Sequence, residues 1–212
     1  DLKSSLKHAS LCIQEGAHIL DLGAQSTRPG ASEVGPEIEI DRLIPVIKGI
    51  KDRHSDIFIS VDTFHNSVAR KALEAGADLI NDVTGGRRDP LIFKIVAEFK
   101  CPYVLTHSRG NSLTMDSLSN YDNFLLDVKH ELLNQIDLAL KAGVLSSQII
   151  IDPGIGFAKD LYQNLSILKN IEEFISMGYP VLVGPSRKRF IGSIIGELDP
   201  TKRGFGTAAV VS

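Results

Sequence analysis

Six short apolar runs each end on side chains able to do chemistry. "HILDL" carries Asp21, "IFISVDT" ends on Asp62, "DLINDV" holds Asn81, "PYVLTH" ends on His107, and "QIIIDPG" holds Asp152. The last, "PVLVGPSRKRF", leads into Ser186, Arg187 and Lys188. A carboxylate accepts hydrogen bonds in pairs, an amide both donates and accepts, and Lys or Arg holds an anion. Taken singly, a strand-end Asp is more often a helix N-cap or a loop hydrogen bonder. Several at successive strand ends form a candidate site, because parallel strands of a barrel bring those ends to one face. Asp21 raises its own question, since a strand carrying a carboxylate runs into the polar loop "GAQSTRPGASEVGPE".

The elements that must position these residues recur in a fixed order. Amphipathic helical stretches end at Gly16, Gly76, Gly143 and Gly178, where a left-handed C-cap is expected, and each leads into an apolar run. Helix, glycine and strand in alternation predict an α/β fold with a parallel sheet covered by helices. The expected architecture is a TIM (β/α)8 barrel with about six of its eight strands in this chain, as one domain over residues 1–212 cut at both ends. A doubly wound open sheet is the competitor, but no glycine-rich dinucleotide fingerprint follows the first strand.

Composition narrows the partners. The chain has 212 residues, 43% of them hydrophobic, and a net charge of -3, which argues for one globular domain and against a broad nucleic-acid surface. No apolar run approaches membrane-spanning length. Cys12 and Cys101 fall in no paired motif and read as reduced packing residues of an intracellular protein. "GIGFAK" is a weak match to a nucleotide-binding loop, because Lys159 is followed by Asp160 rather than Ser or Thr.

The segments "LDLGAQSTRPG", "SVDTF", "INDVTGG", "HSRG", "IIIDPGIGFAKD" and "GPSRKRFIG" together resemble the dihydropteroate synthases, over nearly the whole chain and in that family's order. "HSRG" and "SRKRFIG" look most like fungal forms, often one domain of a larger folate-synthesis protein. The resemblance implies a transferase, the target of sulfonamides, that condenses 6-hydroxymethyl-7,8-dihydropterin pyrophosphate with p-aminobenzoate. It assigns the pterin to Asp62, Asn81, Asp152 and Lys188, and the pyrophosphate to Thr27. It assigns p-aminobenzoate to Thr27, Pro29, Phe157 and Ser186, with Lys188 and Arg28 as the catalytic cations. By itself Lys188 reads as a solvated charge in a basic run, and Phe157 as a core residue in a turn. The loop matching "STRPG" is expected to close over the pterin. Asp21 is expected to orient that loop, while His107 and Arg109 either assist anion binding or satisfy loop carbonyls.

The chemistry implied needs little acid or base, since an aromatic amine is neutral at physiological pH. Loss of pyrophosphate is the hard step, and cations with preorganised donors stabilise it. Magnesium riding on the pyrophosphate is the implied cofactor, with its protein ligand expected before residue 1 and none in this chain. The chain alone is therefore expected to be a poor catalyst. The resemblance further implies a homodimer in the cytoplasm, with the mitochondrion as the other compartment, no nucleic-acid or membrane partner, and fusion to other folate-synthesis domains. Two departures stand out: Ala158, where the family often has glycine, and Ser108, where an apolar residue is frequent. Two other functions stay open: a pterin-dependent methyltransferase, which would share Asp62, Asn81 and Asp152, and a pterin-binding module without catalysis.

Overall fold

The structure, a computed structural model, describes residues 1–25 and 33–212. Helix α1 (Leu2–Gln14) precedes strand β1 (Ile19–Gly23), and four helix–strand units follow. These are α2 (Pro36–Lys51) with β2 (Phe58–Asp62), α3 (Asn66–Glu74) with β3 (Leu79–Asp82), α4 (Ile92–Phe99) with β4 (Tyr103–Thr106), and α5 (Phe124–Lys141) with β5 (Ile149–Asp152). Beyond β5 lie α6 (Leu161–Lys169), α7 (Ile171–Ile175), α8 (Arg189–Ile195) and α9 (Gly204–Val211). The strands pair in parallel and in chain order, β1 to β5, which is the wall of a (β/α) barrel.

The expected sixth strand is reduced to a single parallel bridge between Val181 and Ile151. Ile151 N donates to Pro180 O at 2.9 Å and Leu182 N to Ile151 O at 2.8 Å. Extension stops there because Pro185, three residues on, has no N–H to offer a ladder. The expected caps are present, with φ of 98° at Gly16, 108° at Gly76, 100° at Gly143 and 83° at Gly178.

Register separates two faces. Gly23 pairs with Asp62, Asp62 with Asn81, and Thr106 with Asp152, so Asp21, Asp62, Asn81, Thr106 and Asp152 share the inner side. The opposite parity turns Leu20, Ile59, Val61, Ile80, Tyr103, Leu105, Ile149 and Ile151 toward the helices, where all are buried. They pack with Ile47 and Ile50 of α2, Val68 and Ala72 of α3, Phe93 and Val96 of α4, and Leu132 and Ile136 of α5. This outer layer between sheet and helices is the core, and its loss of water contact drives the fold.

A carboxylate also lies within that apolar layer. Asp82 is fully buried on the outer face, and its Oδ1 accepts from Thr84 N and Thr84 Oγ1, both at 2.8 Å. Its Oδ2 accepts from Gly86 N at 2.8 Å and Tyr103 Oη at 2.7 Å. Burial raises the Asp82 pKa, and those four donors oppose the rise. The turn "DVTGG" is thereby fixed from behind, leaving its neighbour Asn81 free to face inward. Replacing Tyr103 by Phe is expected to cost about 1–3 kcal/mol, because a buried carboxylate oxygen loses a donor. Urea unfolding measures this, and an unchanged midpoint would show that the hydroxyl is dispensable.

Candidate active site

Two ends of the site differ in charge. At the β1–β3 end, Asn81 Nδ2 donates to Asp21 Oδ2 at 3.1 Å. Among the described residues Asp21 therefore orients Asn81; the loop it was expected to hold lies largely outside them. This bond leaves the Asn81 carbonyl oxygen and its second N–H for a ligand. Asp62 lies beside them with its pKa pushed up to about 8, first by burial and then by the charges of Asp21, Asp82 and Glu39. Glu39, on the first turn of α2, is fully buried with its Oε1 3.5 Å from His65 Nε2, and burial pushes its pKa up to about 7. In the free protein Asp62 is thus mostly protonated at neutral pH, and offers both a donor and an acceptor.

At the β5 end the neighbouring charges are cations, which oppose the effect of burial. Asp152 is buried, and its Oδ1 accepts from Gly154 N at 2.7 Å. Burial raises its pKa, while that N–H, Lys188 and Lys159 hold it down. Gly154 has a φ of 74°, and a Cβ there would lie 1.9 Å from His107 O, so this turn admits only glycine. Lys188 Nζ donates to Ile155 O and lies 4.6 Å from the centroid of the Phe157 ring, a cation–π arrangement that fixes both groups. Lys188 is thus half-buried against the site rather than solvated. Ser186 is exposed on the same loop. Arg187 beside it takes a φ of 54°, with its N–H donating to Thr207 Oγ1 at 2.9 Å and its carbonyl accepting from Arg203 Nη1 at 3.0 Å.

The predicted pterin residues Asp62, Asn81, Asp152 and Lys188 therefore come together at one end of the sheet, with Phe157 beside Lys188. Thr27, Arg28 and Pro29 lie outside the described residues. A small crevice of about 40 Å³ opens next to Phe157, bounded by Phe64, Arg88, Ser108, Arg109 and Asn111. His107 and Arg109 do more than cap loop carbonyls: both bind Glu131 of α5, His107 Nε2 at 3.1 Å and Arg109 Nε at 3.0 Å. Glu131 and Lys159 are the polar residues that sequence reasoning missed. Lys159 follows a site motif closely, but nothing in the chain's spacing pairs it with His107 at the end of β4.

The pterin binding enzyme model matches residues 1–212 in full. The chain belongs to this family. It is 46% identical over 208 residues to the dihydropteroate synthase of Synechocystis sp., an alignment covering 98% of this chain and 72% of that protein. It is also 46% identical over 204 residues to the folic acid synthesis protein of Pneumocystis carinii, covering 94% of this chain and 28% of that one. The crystal structure of a dihydropteroate synthase from Clostridium difficile, in the presence of pteroic acid, superposes with a TM-score of 0.92 at 37% identity, covering 99% of this chain and 76% of that one. The fungal relative is thus as similar to this chain as the cyanobacterial one.

The family's motifs now have physical reasons. Ala158 stands at φ 48°, in the left-handed region that glycine occupies at no steric cost, which explains the family's frequent glycine. Ser108 is buried on the wall of the crevice. Asp160 caps α6, accepting from Gln163 N at 2.8 Å, so a carboxylate occupies the helix end where a nucleotide-binding loop would hold phosphate.

Two outcomes follow from the strained and protonated positions. Ala158→Gly relieves roughly 1–2 kcal/mol of backbone strain and gives back about 0.4–1 kcal/mol through the freer unfolded chain. A small rise in melting temperature is expected, and a fall would refute the strain. Asp62 has a folded pKa of about 8 against an ordinary 3.8, so between those values the native state holds a proton the unfolded chain has released. Stability falls as pH rises through that window. Asp62→Asn should therefore stabilise by roughly 1 kcal/mol or more in mildly alkaline buffer and by less in acid. Equal gains at both pH values would rule out protonation as the cause.

Proposed function

We infer that the chain is the catalytic barrel of a dihydropteroate synthase in folate biosynthesis. It joins p-aminobenzoate to 6-hydroxymethyl-7,8-dihydropterin pyrophosphate, giving 7,8-dihydropteroate and pyrophosphate. The observation that carries this is the convergence of Asp62, Asn81 and Asp152 on one strand-end face, with Lys188 lying against Phe157 beside Asp152. The pteroic acid of the Clostridium structure joins a pterin to an aminobenzoate, the two ligands this face is suited to hold. Identity to synthases along the full chain favours this reading over a methyltransferase or a non-catalytic module.

Each residue has work suited to its surroundings. Asp152, with two cations nearby, accepts hydrogen bonds from the donor edge of the pterin. Asp62 and Asn81 supply a mixed donor and acceptor pair to the rest of the ring. Phe157 presents an apolar face to the benzoate, and Lys188 above it brings a positive charge to the junction of the two substrates. The amine nitrogen attacks the pterin methylene, a C–N bond forms as the C–O bond to pyrophosphate breaks, and the amine's surplus proton passes to water. Catalysis here is orientation and charge, with no side chain required to remove a proton first. A sulfonamide, sharing the shape of p-aminobenzoate, would compete for the same wall. Closure by Thr27, Arg28 and Pro29 belongs to the same proposal.

Among the described residues, no three His, Cys, Asp or Glu side chains converge as a metal site. We propose that magnesium arrives on the pyrophosphate and assign it no step. A cytoplasmic homodimer, fused to other folate-synthesis domains, is likewise proposed. No helix among the described residues is long and apolar enough to cross a membrane.

The test uses the protein at its natural full length, with labelled p-aminobenzoate, the dihydropterin pyrophosphate and magnesium. Labelled dihydropteroate is expected, and Asp152→Ala should lower its formation by roughly a hundredfold or more, since charge-assisted hydrogen bonds are lost. Pterin binding without product would sink the synthase and leave a binding module.

A further inference from the structure

Lys159 is the most deeply buried cation near the site, 5% exposed, yet it makes no ion pair among the described residues. An ammonium group in that position is costly unless something orients it and something needs it. Its Nζ donates to His107 Nδ1 at 2.9 Å and to Phe157 O at 2.9 Å, with His107 O further off at 3.5 Å. Accepting through Nδ1 leaves His107 its proton on Nε2, which donates to Glu131 Oε2 at 3.1 Å. Glu131 is held in turn by Arg109, and by Arg87 Nη2 at 3.5 Å. Arg109 lies 3.7 Å over the Tyr121 ring, whose hydroxyl donates to Ala158 O at 3.0 Å and closes the circuit beside Lys159.

This chain of bonds runs from the outer helix α5 through the end of β4 to the loop after β5. It ends next to Asp152, whose carbonyl accepts from His107 N at 2.8 Å. We propose that Glu131 and His107 hold Lys159 behind the turn that bonds Asp152, making Lys159 a positioning residue that places a cation near the pterin-binding carboxylate and whose hydrogen bond fixes the Phe157 turn. The inference rests on the function proposed above. Burial pushes the Lys159 pKa well below its ordinary value and Asp152 opposes that, so the two groups favour each other's charged forms. His107, with its pKa pushed down to about 3 by burial and by Lys159, stays a neutral relay across the working range. Glu131, pulled down to about 2 by His107 and Arg109 against its burial, stays an anion. The other charged groups facing this pair are Lys188 and Arg109.

The experiment measures dihydropterin pyrophosphate affinity by calorimetry from mildly acidic to mildly alkaline pH, in the full-length wild type, Lys159→Met, Lys159→Arg and His107→Gln. Wild-type binding should weaken as pH falls and Asp152 takes up a proton. In Lys159→Met that weakening should begin roughly one pH unit or more higher, because a nearby opposite charge is gone. At a given pH on the acid limb, affinity should then fall by up to roughly tenfold, with the KM for p-aminobenzoate changed far less. Lys159→Arg should bring the acid limb part of the way back. His107→Gln keeps a donor for Glu131 but loses the acceptor for Lys159, and should move the limb in the same direction. It serves where the Met variant fails to fold. Asp62 titrates in every variant, so the difference from wild type isolates Lys159. An acid limb unmoved in both folded variants overturns the proposal while leaving the synthase reading intact; a wild type that binds no pterin overturns both.

Discussion

Parallel pairing without a register slip is the constraint on which the rest depends. Side chains alternate across the sheet, so a shift of one residue in any strand would send its site residue into the helix layer. Asn81 and Asp82 show the stakes, being adjacent polar residues with opposite destinations. The outer one is surrounded by four donors, including Tyr103 Oη across the strand pair at 2.7 Å, and that set of bonds is available in only one register. Asp82 therefore works for the site without touching it, because its bonds lock the parity that leaves Asn81 facing Asp21.

The second organising feature is the charge gradient across the inner face. Asp21, Asp62 and the buried Glu39 crowd one end, and Lys159 and Lys188 serve the other. A flat heterocycle with a row of donors and a row of mixed groups gains orientation from that difference, since only one placement puts its donor edge on the carboxylate that faces the lysines. Burial and then like charges raise Asp62 at the first end, while at the second the Gly154 N–H and two lysines oppose the rise that burial gives Asp152. The same residue type thus does two jobs, separated by what surrounds each.

Much of this was legible from the chain. The helix–glycine–strand rhythm located the strands because glycine alone enters the left-handed cap without steric cost, and strand-end polarity marked Asp62, Asn81 and Asp152. The sixth strand was overread: "PVLV" has strand composition, but prolines on either side limit how many ladder bonds it makes. Lys188 could not be told from a surface lysine until Phe157 was seen beneath it. Glu131 reads as an ordinary charge on an amphipathic helix, and its partners His107 and Arg109 lie 24 and 22 residues away along the chain. Periodicity reports which side of a helix faces inward, but not which distant side chain waits there.

That blindness has a physical source. Apolar burial is non-directional, so a pattern of residue types predicts it well. A buried polar network is directional, and each bond needs an angle and a distance that only the assembled fold defines. Lys159 illustrates the consequence, since its neighbours in sequence explain Phe157 O as an acceptor but not His107 Nδ1. Where a barrel binds a polar ligand, the residues touching it are therefore easier to find in sequence than those that set their charge. The charge-setting residues decide whether the carboxylate is an acceptor at working pH, and so whether the ligand edge it meets must be a donor.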